Sequence, residues 1–96
     1  MLKHIVLWNF KKDCNMRDID EISFQLLELK KLDEVLELTV FKSNLKSSTK
    51  DYCLIVTFFN ETDMEKYRKH PAHQKVNQLI EKSFCNRECS DVEVIS

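Results

Sequence analysis

Apolar and polar positions alternate through the first ten residues. His4, Val6, Trp8 and Phe10 fall on one side and Ile5 and Leu7 on the other, which predicts a strand over residues 2–10. The period then lengthens. Ile19, Ile22, Leu26 and Leu29 share one face at helical spacing, predicting a helix from about residue 16 to 32. Asn15 is placed to cap it, with Asp18, Asp20 and Glu21 near its positive end. Leu36, Leu38 and Val40 alternate with Glu37, Thr39 and Phe41, a half-buried strand, and residues 44–51 form a polar connection, read as mobile. Tyr52 to Phe59 is a strand apolar on both faces. Thr62-Asp-Met-Glu65 matches a capping box that opens a second helix. Pro71 breaks that helix at His70, because proline disfavours helical geometry in the residue before it. A new helix starts at Pro71 and runs to about Ser83, with Val76, Leu79, Ile80 and Phe84 as its core face. A last strand is expected at residues 90–95, where Val92 and Val94 alternate with Asp91 and Glu93. The order βαββαβ predicts a ferredoxin-like α+β fold with a four-stranded antiparallel sheet.

This order leaves one sheet face without helices. A monomer keeps such a face polar, yet the strands at 2–10 and 52–59 are apolar on both sides. A second copy packed sheet against sheet solves the problem, so the expected partner is the protein itself, in a barrel-like homodimer burying about 800 Å² per subunit.

Composition narrows the function classes. Ninety-six residues make a single domain, residues 1–96. Fifteen basic residues against 16 acidic ones give a net charge of −1, which argues against nucleic acid as a partner. No apolar run approaches the roughly 20 residues of a membrane span, and Ile5-Val6-Leu7-Trp8 is too short for a signal peptide's apolar core. A cytoplasmic protein with no membrane partner is expected. Cys14, Cys53, Cys85 and Cys89 then read as reduced thiols, Cys53 as a small core residue. Cys85 and Cys89 fit zinc-site spacing loosely and no histidine lies near them in sequence, so no metal is expected. The absence of glycine rules out a glycine-rich phosphate loop.

Candidate chemistry concentrates in Tyr67-Arg-Lys-His-Pro-Ala-His73, which holds two of the three histidines, a tyrosine and the only proline. His73 lies three residues before Val76 and seven before Ile80, on the inward face of the resumed helix. Each residue also has a purely structural reading. His70 can bond the backbone at the helix joint, His73 can fix the helix to the sheet, Tyr67 can be core, and Trp8 and Phe10 can be packing residues.

Met1-Leu-Lys-His-Ile-Val-Leu-Trp-Asn-Phe-Lys11 resembles the opening strand of the stress-responsive dimeric α+β barrel (Dabb) family. Phe58-Phe59, Tyr67 and His70-Pro-Ala-His73 resemble its second signature, and Asp91-Val-Glu-Val94 its closing strand. The resemblance spans essentially the whole chain. It implies a homodimeric barrel with a pocket between sheet and helices, lined by His4, Trp8, Leu26 and His70 and holding an apolar or aromatic small molecule. Plant members of the family cyclise linear polyketides. By position the resemblance implies that His73 is the base and Tyr67 the residue that binds or polarises the substrate, without a cofactor. One departure stands out: the plant-type pocket draws a tyrosine from the first helix, where this chain has Phe24, Leu26 and Leu27.

The implied roles suit the residue types. A neutral imidazole with an ordinary pKa near 6.5 can take a proton next to a carbonyl, and a protonated tyrosine can donate to the developing oxyanion. Three readings follow: a dimeric protein with a ligand pocket and no assigned activity, a cofactor-independent lyase or cyclase acting through His73, and a cofactor-free monooxygenase of the related dimeric barrels.

Overall fold

Strand β1 (Leu2–Phe10) forms because its alternation lets every second residue enter the core: Leu2, His4, Val6 and Trp8 are buried, while Ile5 and Leu7 are half-buried on the other face. The computed structural model describes residues 1–95. Its elements continue with α1 (Met16–Glu28), a 3₁₀ turn at Leu29–Lys31, β2 (Glu37–Lys42), β3 (Tyr52–Phe58), α2 (Glu61–Lys69), α3 (Pro71–Ser83) and β4 (Phe84–Glu93). The four strands form one antiparallel sheet in the order β2-β3-β1-β4. This is the ferredoxin-like α+β fold.

Helix α1 is fixed by a reciprocal cap. Asn15 Oδ1 accepts from the Asp18 N–H at 2.9 Å, and Asp18 Oδ2 accepts from the Asn15 N–H at 3.2 Å. Ile19, Ile22, Leu26 and Leu29 are buried as the spacing predicts, although the helix tightens into the 3₁₀ turn four residues before its expected end. Helix α2 departs from the expected start. Its cap is Asn60, whose Oδ1 accepts from the Asp63 N–H at 2.9 Å, so Thr62 lies inside the helix. Asparagine caps at least as well as threonine, and Asn60 comes first along the chain.

At the joint the backbone of His70 is extended, with φ −66° and ψ 136°. His70 ends α2 through its N–H to the Tyr67 carbonyl at 3.2 Å, and it caps α3 by accepting the Ala72 N–H on Nδ1 at 3.0 Å. Pro71 occupies the first turn of α3, where its missing N–H costs nothing.

Strand β4 corrects the expectation of a strand over residues 90–95. It begins six residues earlier, at Phe84, and Val94 and Ile95 lie beyond it, exposed. Its pairing with β1 runs from Phe10↔Phe84 to Leu2↔Glu93, with a register shift between Leu7 and Asn9. Asn86 nearby takes φ 54°, a left-handed conformation that asparagine tolerates better than most residues. The early half lacks alternation because this edge strand is held by its backbone ladder, with most of its side chains exposed.

The helices cover the face carrying His4, Val6 and Trp8. The opposite face presents Ile5, Leu7, Ile55 and Cys53, so Cys53 is half-buried on the open side instead of in the core. Phe84 is buried at the start of β4, with its ring centroid 5.0 Å from Tyr52, 5.1 Å from Phe10 and 5.7 Å from Trp8. The 44–51 connection is tied down at its end by the Asp51 N–H to the Trp8 carbonyl at 2.9 Å.

Candidate functional site

A cavity of about 300 Å³ lies between the covered face of the sheet and the helices. Trp8, Val6, Leu26 and Leu54 give it apolar walls, His4 and His73 bring imidazoles to it, and Asn77, Glu81, Asn86 and Arg87 supply polar groups. Of the residues expected at a pocket, His4, Trp8, Leu26 and His73 line it. His70 does not: its side chain is the cap of α3, and the backbone bond to Ala72 occupies its Nδ1. Tyr67 is fully buried one layer behind, with its ring centroid 4.7 Å from His73, 5.0 Å from Phe58 and 6.2 Å from His4.

Tyr67 and His73 come together because α2 ends two residues after the tyrosine and α3 starts two residues before the histidine. Their polar atoms are unusual. The Tyr67 hydroxyl and His73 Nδ1 are both buried and have no hydrogen-bond partner among the described residues. Leaving such a group unpaired costs about 1–3 kcal/mol, so a fold rarely keeps two side by side. Burial pushes the Tyr67 hydroxyl well above its ordinary pKa, and it stays protonated. Burial also lowers the pKa of His73, and the proximity of His4 adds to this; the nearby Arg68 backbone opposes it without reversing the direction. His73 is therefore a neutral imidazole at neutral pH.

His4 belongs to a network that sequence reasoning missed. Its Nδ1 lies 2.6 Å from Asp91 Oδ1, while Asp91 Oδ2 accepts from Arg68 Nη2 at 2.6 Å. Burial disfavours the Asp91 charge, but the His4 bond and the charges of His4 and Arg68 together hold its carboxyl below the usual range. An ionised carboxylate only accepts, so His4 Nδ1 carries the proton and its other ring nitrogen is the acceptor. Burial lowers the His4 pKa despite the Asp91 bond. The signal for this network was register: Asp91 pairs directly with His4 across the ladder, which requires knowing how β4 aligns on β1. The same alignment brings Cys89 Sγ to 3.7 Å from His4 Nδ1, although no histidine is near Cys89 in the sequence.

No described helix is long and apolar enough to cross a membrane. The fold is shared with a dimeric ferredoxin-like protein of unknown function from Jannaschia sp. CCS1, at 25% identity and a TM-score of 0.83 over 97% of this chain and 98% of that one. It is also shared with a Dabb family protein from Mesorhizobium loti, at 12% identity and a TM-score of 0.82 over 99% and 97% of the two chains. A third similar structure is the hydroxynitrile lyase from Passiflora edulis, at 14% identity and a TM-score of 0.86 over 97% and 92%. At such identities the last two speak for the fold alone. No curated protein matches the sequence. Residues 2–94 match the stress responsive A/B barrel domain, Dabb, and the chain belongs to that family.

Proposed function

We propose that this protein is a cytoplasmic homodimer, each subunit a single Dabb domain, whose cavity takes a small aromatic or apolar molecule bearing a carbonyl or hydroxyl group, with His73 as the base. The observation that carries the reading is the pair of buried, unpartnered polar atoms on Tyr67 and His73 beside a cavity that His73 lines. His73, neutral through burial, can accept a proton from a substrate hydroxyl or from carbon next to a carbonyl, a step worth roughly 10²–10⁴-fold. Tyr67, one layer behind the cavity, packs on the His73 ring and keeps its own hydroxyl protonated. Self-association is supported by the apolar open face of the sheet and by the similar Jannaschia protein, which is described as dimeric.

Mandelonitrile, an aromatic cyanohydrin, is a suitable probe, since its cleavage begins with loss of the hydroxyl proton. Benzaldehyde should appear faster with the protein than without it, and His73→Gln should abolish the difference while leaving the fold intact. Binding can be read separately, because Trp8 is the only tryptophan and lines the cavity. Quenching of Trp8 by benzaldehyde without turnover would reduce the reading to a binding protein. Neither quenching nor turnover would refute the pocket as proposed.

A further inference from the structure

We propose that His4, Cys89 and Asp91 form a binding site for a borderline divalent metal ion of the zinc class. The donor atoms are one imidazole nitrogen, one thiol sulfur and one carboxylate oxygen, all within 4.8 Å of one another. The sheet presents them rigidly. His4 and Asp91 are cross-strand partners, and Cys89 sits two residues from Asp91, on the same face of β4. His4 is fixed in the core, whereas Cys89 is exposed, so an ion can approach from solvent.

One of the three separations already suits a tetrahedral ion, and the others lie within reach of one. Bonds of about 2.0–2.3 Å at tetrahedral angles place the ligand atoms about 3.4–3.6 Å apart. Cys89 Sγ and His4 Nδ1 are already 3.7 Å apart. His4 Nδ1 and Asp91 Oδ1, at 2.6 Å, must separate by about 0.8 Å, as expected when a metal replaces the proton between them. Arg68 holds the other Asp91 oxygen, leaving Oδ1 for the ion and orienting the carboxylate as an outer-shell partner. Three protein ligands leave a fourth position for water.

The proton balance is defined. Asp91 is already ionised and His4 neutral, so the ion displaces the Cys89 thiol proton to solvent. The His4 Nδ1 proton moves to its other ring nitrogen. Metal loading therefore releases about one proton per site and turns that ring nitrogen of His4, a cavity-lining residue, from an acceptor into a donor.

Cobalt(II) tests the site directly, because a cysteine–cobalt bond gives a near-ultraviolet charge-transfer band. Titration of the metal-free protein should produce this band, saturating at one ion per chain, with zinc displacing the cobalt and about one proton released per zinc. Cys89→Ser should abolish the band, and Asp91→Asn should weaken binding at least about tenfold. Cys85→Ser, at the neighbouring thiol, should leave both unchanged. Absence of the band in the wild-type protein, or its survival in Cys89→Ser, would overturn the proposal. Cys89 is exposed, so its replacement does not endanger folding.

Discussion

The two faces of one sheet have similar apolar composition and different structural fates. On β1, His4, Val6 and Trp8 are buried under the helices, while Ile5 and Leu7, one residue away in each case, are only half-buried on the open side. The covered face closes around a cavity and surrounds two imidazoles with apolar walls, which lowers the pKa of both. The open face holds Ile55, Leu7 and Cys53 together with Phe41 and Val92, which are 48% and 41% exposed. The helices use one face to line a cavity, and the other stays open in the single chain. The comparison shows that a strand apolar on both sides faces two different environments, only one of which the chain itself closes over.

The strongest way to break the covered face is Tyr67→Ala. It removes a fully buried ring packed on Phe58, His4 and His73, and should cost about 3–5 kcal/mol, read as a lower midpoint in denaturant. The open face responds differently. Ile55→Lys should change the stability of the isolated chain little but weaken dimerisation by about 2 kcal/mol or more, seen as a shift from dimer to monomer in sedimentation.

Acidification sharpens the contrast further. His73 has a lowered pKa in the folded state, so below its unfolded value of 6.5 the unfolded chain binds protons that the folded chain refuses. Stability should be at its full value above pH 6.5 and fall as pH drops from there toward the folded-state pKa. His4 acts in the same direction. His73→Gln should flatten the fall in melting temperature across this range. The smallest effect belongs to Tyr67→Phe, which removes an unpartnered hydroxyl and keeps the ring. It should be neutral or stabilising by up to about 1 kcal/mol, read as the midpoint in denaturant.

Much of this architecture was legible in the sequence, for physical reasons. Period-2 alternation fixed the facing of β1, helical spacing identified Ile19, Ile22, Leu26 and Leu29, and the His-Pro dipeptide located the joint between α2 and α3. Three features were not legible. Asn60 preempts Thr62 as a cap, because two good capping residues compete and only the backbone geometry at Asn60 decides between them. The first half of β4 has no alternation to read, since an edge strand is held by its ladder and not by a buried face. The His4–Asp91–Arg68 network depends on a register between residues 87 positions apart, and the unexpected approach of Cys89 to His4 follows from the same register. His70, prominent in the motif, serves the backbone at the joint, whereas His73 reaches the cavity.

The most direct test of the central claim is an NMR titration of the histidine ring resonances against pH, with and without benzaldehyde. The account predicts that His73 protonates below pH 6.5 and that its resonances shift as the aldehyde quenches Trp8. A His73 that titrates at or above 6.5, or that is indifferent to an aldehyde that quenches Trp8, would contradict it.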